Sequence, residues 1–313
     1  MSTHRTLRIA AKDTVAADVV SLVLEDPRGG ELPDWAPGAH IDVELGGDIV
    51  RQYSLCGGDS SNQWRIAVLR ETAGRGGSAY VHDQLCVGAE IVTGGPRNNF
   101  DFVDAPSYLF VAGGIGITPL LPMIAAADRA GRPWRLLYGG RTRASMAFAD
   151  ELARAHPDAV TLAPADEVGL LDLDSALSEV DAGGEVYCCG PEPLLLAIEE
   201  QSRRHEVPLH VERFSPKAIS ADAVDTAFEV ELAQSGQTLT VAADESILSA
   251  VLDAGVDADF SCREGTCGTC EVAVLGGEID HRDSVLDEDE AAAGDVMMIC
   301  VSRCRSARLV IDL

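Results

Sequence analysis

The chain has 313 residues, 51 acidic against 24 basic, and a formal net charge of −27. That charge argues against nucleic acid as a partner, and a hydrophobic content of 46% excludes a disordered or collagen-like chain and suffices for two or three domains. No apolar run approaches the ~20 residues of a membrane span, and Met1 to Ala10 lacks the apolar segment of a signal peptide, so a cytoplasmic protein is expected, with nine cysteines serving as metal ligands or free thiols.

Residues 1–104 read as β-structure. Apolar positions alternate over Val20–Leu24 and Ile41–Leu45, Val50–Leu55 and Trp64–Leu69 look like further strands, and Asp26 to Gly30 and Gly46 to Asp48 make turns. Several short strands between glycine-rich turns suggest a small barrel. Within it lies Arg51-Gln52-Tyr53-Ser54-Leu55, where strand alternation puts Arg51 and Tyr53 on one face and Ser54 on the other. A cation beside an aromatic suits a phosphate and a flat ring, although on the pentapeptide alone an ordinary amphipathic strand with an exposed arginine is the favoured explanation, and the loop that follows shifts the balance. Gly74 to Ser78 precedes a helix expected over Ala79–Leu85. Backbone N–H groups at such a helix start can cradle a phosphate, with the Ser78 hydroxyl adding to them.

From about residue 105 to 217, short apolar strands alternate with helices, the pattern of a parallel sheet covered on both faces. Tyr108–Ala112 runs into Gly113-Gly114-Ile115-Gly116-Ile117-Thr118-Pro119 and then a helix. Thr118 is placed to cap it and Pro119 suits its first turn. Strand, glycine loop and helix start form the arrangement that takes a dinucleotide pyrophosphate, or simply a tight turn. Strands at Trp134–Tyr138, Val160–Ala163 and Glu185–Cys189 follow, the last closing on Cys189-Gly190-Pro191. Gly113, Gly139 and Gly190 all begin loops after strands, so they are expected to line one crevice. His210 to Phe214 leads out of this region, and residues 218–226 are the expected linker.

Residues 227–313 begin with a hairpin, Phe228–Leu232 and Leu239–Val241, then a helix expected from Asp244 to Gly255 with Ile247, Leu248, Val251 and Leu252 on one face. The loop that follows holds Cys262, Cys267 and Cys270 at C-x4-C-x2-C spacing, and Cys300 comes after 29 intervening residues. Four thiolates so spaced suit a plant-type [2Fe–2S] cluster, and the intervening glycines let the backbone aim N–H groups at sulfur. Zinc prefers paired short spacings, and Cys304 is a competing fourth ligand. Cys56, Cys86 and Cys188 fit no ligand pattern and read as structural thiols. From Asp222 to the end, 20 acidic residues face five arginines, a local charge of −15 that serves either solvation or docking of a basic partner.

In this order the pieces resemble the phthalate dioxygenase reductase family, which includes reductase components of vanillate O-demethylase-type systems. The resemblance covers essentially the whole chain. It implies a flavin-binding six-stranded β-barrel (1–104), a parallel-sheet nicotinamide-binding domain (105–217) and a C-terminal plant-type ferredoxin, or β-grasp, domain (227–313). Arg51, Tyr53 and Ser54 match the family's flavin motif, meeting phosphate, packing on the ring and lying near its N5, and Gly77 and Ser78 match its phosphate loop. Phe214 resembles the aromatic residue that closes over the flavin. Gly114, Gly116, Thr118 and Pro119 match the pyridine-nucleotide loop, and Cys189, Gly190 and Pro191 the element beside the nicotinamide. Of these, Ser54, Cys189 and Phe214 are the residues expected at the reacting centre. The Cys-Val-Ser-Arg context selects Cys300 over Cys304, so the cluster ligands implied are Cys262, Cys267, Cys270 and Cys300. The family's cofactors are FMN, NADH and a [2Fe–2S] cluster, with Arg141 and Arg143 as the feature that would favour NADPH. The implied activity is electron transfer from NADH to a terminal oxygenase of Rieske type by a monomer, and the alternative acceptor is a cytochrome P450 or other haem protein.

Overall fold

A computed structural model describes residues 4–47, 49–58, 61–72, 74–217 and 225–313. The expected linker, 218–226, therefore lies outside the described residues except for Asp225 and Thr226. The chain divides into two compact units, the boundary falling between Glu212 and Arg213.

The first unit opens with β1 (Arg5–Ala16), β2 (Val19–Glu25), β3 (Ala39–Glu44), β4 (Val50–Ser54), β5 (Gln63–Leu69) and β6 (Glu90–Asn98), an antiparallel sheet in the order β4-β3-β6-β1-β2-β5. After β4 the chain reaches the far edge: Cys56 N donates to Arg65 O at 2.8 Å and Arg65 N to Gly57 O at 2.7 Å. These bonds join the two edge strands and close the six-stranded barrel. Alternate residues Leu7, Ile9, Leu22, Leu24, Ile41, Val43, Trp64, Ile66 and Val68 fill its interior. β1 and β6 add to the strands expected from sequence.

Helix α1 (Gly77–Asp83) starts two residues before the expected Ala79, because Gly76 enters it in the left-handed region at φ 86°. It is fastened to the barrel at its far end. Lys12 on β1 donates to the carbonyls of Val81, His82 and Leu85 at 2.9, 2.8 and 2.7 Å, a cation placed at the negative end of the helix. Arg70 adds a two-pronged pair to Asp83, 2.7 Å on each side.

The same unit continues with β7 (Tyr108–Gly113), β8 (Trp134–Gly140), β9 (Val160–Pro164), β10 (Glu185–Cys189) and β11 (Leu209–Glu212), a parallel sheet in the order β11-β10-β7-β8-β9. Helices α2 (Ile117–Arg129), α3 (Ala149–Ala155), α4 (Ala165–Val168), α5 (Leu173–Ser178) and α6 (Glu192–His205) connect it. Phe110, Leu136 and Tyr138 pack with Leu120 and Met123 of α2, and Leu109, Val111 and Val186 pack with Leu177 of α5 and Leu195 and Ile198 of α6. Both faces are thus covered, as the apolar strands require. The strand order reverses between β7 and β10, which opens a crevice at their carboxyl ends.

The second unit comprises β12 (Phe228–Leu232), β13 (Gln237–Val241), α7 (Ile247–Asp253), β14 (Glu271–Gly276), β15 (Ile279–Asp280), α8 (Glu288–Ala293), β16 (Val296–Met298), β17 (Arg303–Cys304) and β18 (Arg308–Ile311). Five strands form a mixed sheet, β13-β12-β18-β14-β16, with β12 and β18 parallel, and β15 pairs with β17. Helix α7 is capped by Ser246, whose Oγ accepts from Ser249 N at 3.1 Å, so the helix begins after Ser246 and not at Asp244. Asp287, Glu288, Asp289 and Glu290 make the exposed start of α8, closed by a capping box between Asp287 and Glu290. No helix among the described residues is long and apolar enough to cross a membrane.

At the crevice, a methyl group on Gly116 would lie 2.2 Å from Cys189 O and 2.7 Å from Gly190 N. Backbone cannot yield as a side-chain tip does, so Gly116→Ala is expected to lower unfolding stability by about 2 kcal/mol, measured by chemical denaturation.

Candidate functional site

On the barrel, β3 and β4 pair Val43 with Arg51, Ile41 with Tyr53 and His40 with Ser54. The α1 start comes directly onto this strand: a methyl on Gly77 would sit 2.9 Å from Arg51 Cγ and 3.0 Å from its Nε. The two flavin motifs separated in sequence are therefore one place in space. Arg51 Nη1 donates to Val50 O at 2.7 Å. Ser78 Oγ accepts from Glu71 N at 2.9 Å, which leaves its proton to donate. Burial pushes the Tyr53 phenol above its ordinary range, so it stays neutral and presents a ring. Ser54 Oγ is buried and has no hydrogen-bond partner among the described residues. A buried hydroxyl without a partner costs free energy, and a flavin ring edge carries the nitrogen and oxygen atoms that would satisfy it.

At the crevice, a methyl on Gly190 would lie 3.0 Å from Gly113 Cα, and one on Gly113 2.6 Å from Pro191 Cδ. Gly113, Gly116, Gly190 and Pro191 thus stand together, and Gly139 neighbours Gly113 in register. Tyr138 Oη, 3.0 Å from Gly114 O, braces the loop. Thr118 does not cap α2. That position belongs to Gly116, and the buried Thr118 hydroxyl donates back to Ile115 O at 2.9 Å. The α2 start has no side-chain cap, but its Ile117 N–H is given to Gly114 O and Pro119 has none, so what it offers an anion is the positive end of the helix and not a row of free donors. Arg143 is held by Asp150, at 3.1 and 2.6 Å, while Arg141 is exposed.

Cys189 is fully buried, and burial first, then the nearby Glu212, raise its thiol well above the ordinary range. Glu212 is a residue that sequence reading passed over. The parallel register sets it opposite Cys189, and its Oε2 is buried with no partner among the described residues, although the residue as a whole is only half-buried. Burial raises its carboxyl to about 8. The only sequence signal was a carboxylate at the end of the short strand Leu209–Glu212. Phe214 opens the second unit and is 43% exposed.

In the second unit, the cluster loop folds its polar groups onto sulfur. Glu264 N donates to Cys262 Sγ at 3.3 Å, Cys262 N to Cys267 Sγ at 3.5 Å, and Thr269 Oγ1 lies 3.2 Å from Cys267 Sγ. The Cys262 thiol is held below its ordinary range by hydrogen bonds with Cys267 and then Cys300, and Cys270 is lowered chiefly by its bond with Cys300. Four thiols, two of them 30 residues apart in sequence, converge as the donor set of an iron–sulfur cluster does. Gly265 is required here. It sits at φ 70°, and a methyl would meet Val301 Cγ2 at 2.5 Å. Cys304 is turned away, its Sγ donating to Ser306 O at 3.1 Å. Arg303, three residues past Cys300, is buried and donates to the carbonyls of Thr226, Ala242 and Glu245 at 3.1, 2.9 and 2.5 Å. Cys56 and Cys188 are buried as expected of structural thiols, but Cys86 is exposed, because it follows α1 on the barrel surface and not inside it.

The Glu212 carboxyl carries a pH dependence. Raised to about 8 in the folded chain against an ordinary 4.5, it keeps a proton that the unfolded chain releases. The stability tied to the neutral form is complete below about pH 4.5 and is lost as pH rises to about 8. Glu212→Gln should therefore melt a few degrees above the parent protein at pH 8.5 and equal it at pH 4.5, by thermal melts across that range.

Two families match: the 2Fe-2S iron-sulfur cluster binding domain over residues 230–305 and the oxidoreductase NAD-binding domain over residues 110–200. The chain is 43% identical over 311 residues to phenoxybenzoate dioxygenase subunit beta of Ectopseudomonas oleovorans, covering 98% of this chain and 97% of that one. It is 38% identical over 319 residues to phthalate dioxygenase reductase of Burkholderia cepacia, with coverage of 98% and 97%. Among solved structures, an intact type IV self-sufficient cytochrome P450 monooxygenase matches with a TM-score of 0.91 and 44% identity over 99% of this chain, which spans only 41% of that longer one. At 38% identity over 98% of this chain and 97% of that reductase, the chain belongs to the phthalate dioxygenase reductase family.

Proposed function

We propose that this chain is the reductase of a Rieske-type oxygenase, and that the residues brought together above hold its cofactors. The chain is an oxidoreductase of an oxygenase system, carrying electrons from NADH through FMN and a [2Fe–2S] cluster to a terminal oxygenase component. The observation that carries the residue assignment is the contact of the Cys262 thiol with those of Cys267 and Cys300, and of Cys270 with Cys300, with backbone N–H groups aimed at the Cys262 and Cys267 sulfurs.

In this reading Arg51 supplies the positive charge for the FMN phosphate, and Gly77 and Ser78 supply a close backbone and a hydroxyl proton. Tyr53 flanks the ring, and Ser54 directs its unpaired hydroxyl at the ring edge near N5. Phe214 is assigned to the flavin by family resemblance. Gly114, Gly116, Thr118 and Pro119 shape the turn that takes the NADH pyrophosphate at the α2 start. Cys189, Gly190 and Pro191 border the nicotinamide, where the neutral, buried thiol excludes water. When bound, FMN exchanges electron pairs with NADH and single electrons with the cluster, and the protein supplies position and electrostatics. Nothing in this chemistry requires a protein nucleophile or general base.

The Rieske assignment draws on relatives matched end to end, whose names are those of dioxygenase components and reductases. A P450 acceptor is the second reading, favoured by the 44% identity to part of a self-sufficient P450. Reduction of a purified Rieske oxygenase and a purified P450, side by side with NADH, separates them: electrons should reach the Rieske centre at the higher rate, and the reverse order would reject the proposal. If the acidic C-terminal unit steers the partner, that rate should fall as salt rises. Within the chain, Cys300→Ser is expected to lose the visible iron–sulfur bands while keeping flavin absorbance, and Cys304→Ser to keep both.

A further inference from the structure

Asp283 is the one buried carboxylate among the described residues of the second unit, its side chain 1% exposed. The other acidic groups there are exposed or half-buried, where water and salt screen them. Asp283 stands instead where three ligand-bearing segments meet. A methyl on Gly265, between Cys262 and Cys267, would lie 3.1 Å from Asp283 Cα and 3.3 Å from its Cβ. Ser284 ties the same place down, its N donating to Gly265 O at 2.8 Å. Ser302, two residues past Cys300, directs its Oγ to Asp283 Oδ2 at 3.4 Å. Glu271, directly after Cys270, is raised above its ordinary range by burial first, then by Glu290 and Asp283, so the field of Asp283 reaches that segment too.

Among the described residues the one basic side chain within ion-pair reach of Asp283 is His281, its Nδ1 3.7 Å from Oδ2. Arg282, although next in sequence, turns away to Asp280 and Asp225, at 2.7 Å each. The groups that hold the carboxylate are neutral: Val285 N and Leu286 N donate to Oδ1 at 3.1 and 2.9 Å, and the Ser302 hydroxyl points to Oδ2. Such bonds fix an anion in place and leave its net charge uncancelled. A charge in a protein interior acts on its neighbours more strongly than one in water. Reduction adds one electron to an iron–sulfur cluster, and that electron is harder to add beside a fixed anion.

We propose that Asp283 sets the reduction potential of the cluster, its buried charge holding the cluster at a lower potential than the four thiolates alone would give. The inference rests on Cys262, Cys267, Cys270 and Cys300 binding the cluster as described above. Electrons pass singly from the flavin to the cluster and on to the oxygenase component, and Asp283 exchanges none of them. It acts through space on the balance between the two cluster states. A lower potential makes the cluster harder to fill from the flavin and a stronger donor at the exit.

The test is an anaerobic redox titration of the holoprotein, followed by the electron paramagnetic resonance signal of the reduced cluster. Asp283→Asn keeps the side-chain shape and an oxygen for Val285 N and Leu286 N, and removes the charge. At a given potential it is expected to raise the ratio of reduced to oxidised cluster about tenfold, about 59 mV in the midpoint, with the visible iron–sulfur bands unchanged. His281→Lys sets an ammonium beside the carboxylate, leaves its hydrogen bonds alone, and should move the midpoint the same way. Glu288→Gln removes an exposed charge on α8 and should leave the midpoint where it is. An unmoved or lowered midpoint in Asp283→Asn, or a shift as large in Glu288→Gln, overturns the proposal. If Asp283→Asn does not hold the cluster, His281→Lys decides by the same measure, and loss of the cluster from both assigns Asp283 to the fold of the loop and overturns the proposal as well. A parent protein with no signal from a reduced cluster rejects the cluster reading itself, and this inference with it.

Discussion

The nicotinamide half of this molecule rests on a backbone-to-backbone contact. At the switch point between β7 and β10 there is no room for a β-carbon on Gly113, Gly116 or Gly190. Removing side chains there lets the α2 start and the Cys189–Pro191 turn share one crevice, with the positive end of the helix facing it. Other features of the site take their bearing from that contact: Tyr138 bracing Gly114, Cys189 sealed beneath the turn, and Leu171 seated against Gly139 on the neighbouring strand. The barrel solves the matching problem with Gly77, whose bare backbone lets α1 approach Arg51.

The second unit depends on a different economy. A thiol nest carries concentrated negative charge once loaded, and the loop meets it with N–H groups and a threonine hydroxyl. Left-handed residues, Arg263 at φ 57° and Gly265 at φ 70°, give the loop its curl. Arg303 then secures the surroundings, gathering three carbonyls from the entry segment and the α7 approach. A buried guanidinium has five donors to satisfy, and here backbone oxygens take up several of them.

Much of this was legible because it is local. Cysteine spacing, the Gly113–Pro119 turn and the alternation in β2 and β3 are written in consecutive residues, and Cys300 was separable from Cys304 by its neighbours in sequence. What escaped was non-local or competitive. β1 has few apolar residues to announce it, Leu7 and Ile9 among them, and is held between its hairpin partner β2 and the distant β6. Thr118 has the chemistry of a cap, but its hydroxyl finds Ile115 O and the cap passes to Gly116. Asp244 gave way to Ser246 for the same reason, since only one side chain can take the N–H of Ser249. Glu212 was invisible because its environment is set by the register of β10 and β11, and the exposure of Cys86 because no periodicity marks where a helix meets solvent.

Lys12 has a consequence for how the protein is assembled. All three of its protons are spent on carbonyls at the end of α1, so the helix proposed to meet the flavin phosphate is finished only when β1 is in place. A ligand that binds only the finished barrel stabilises it by mass action. In that reading flavin retention reports on the integrity of β1, far from α1 in sequence. A change that loosens β1 becomes a perturbation of cofactor content before it becomes one of catalysis.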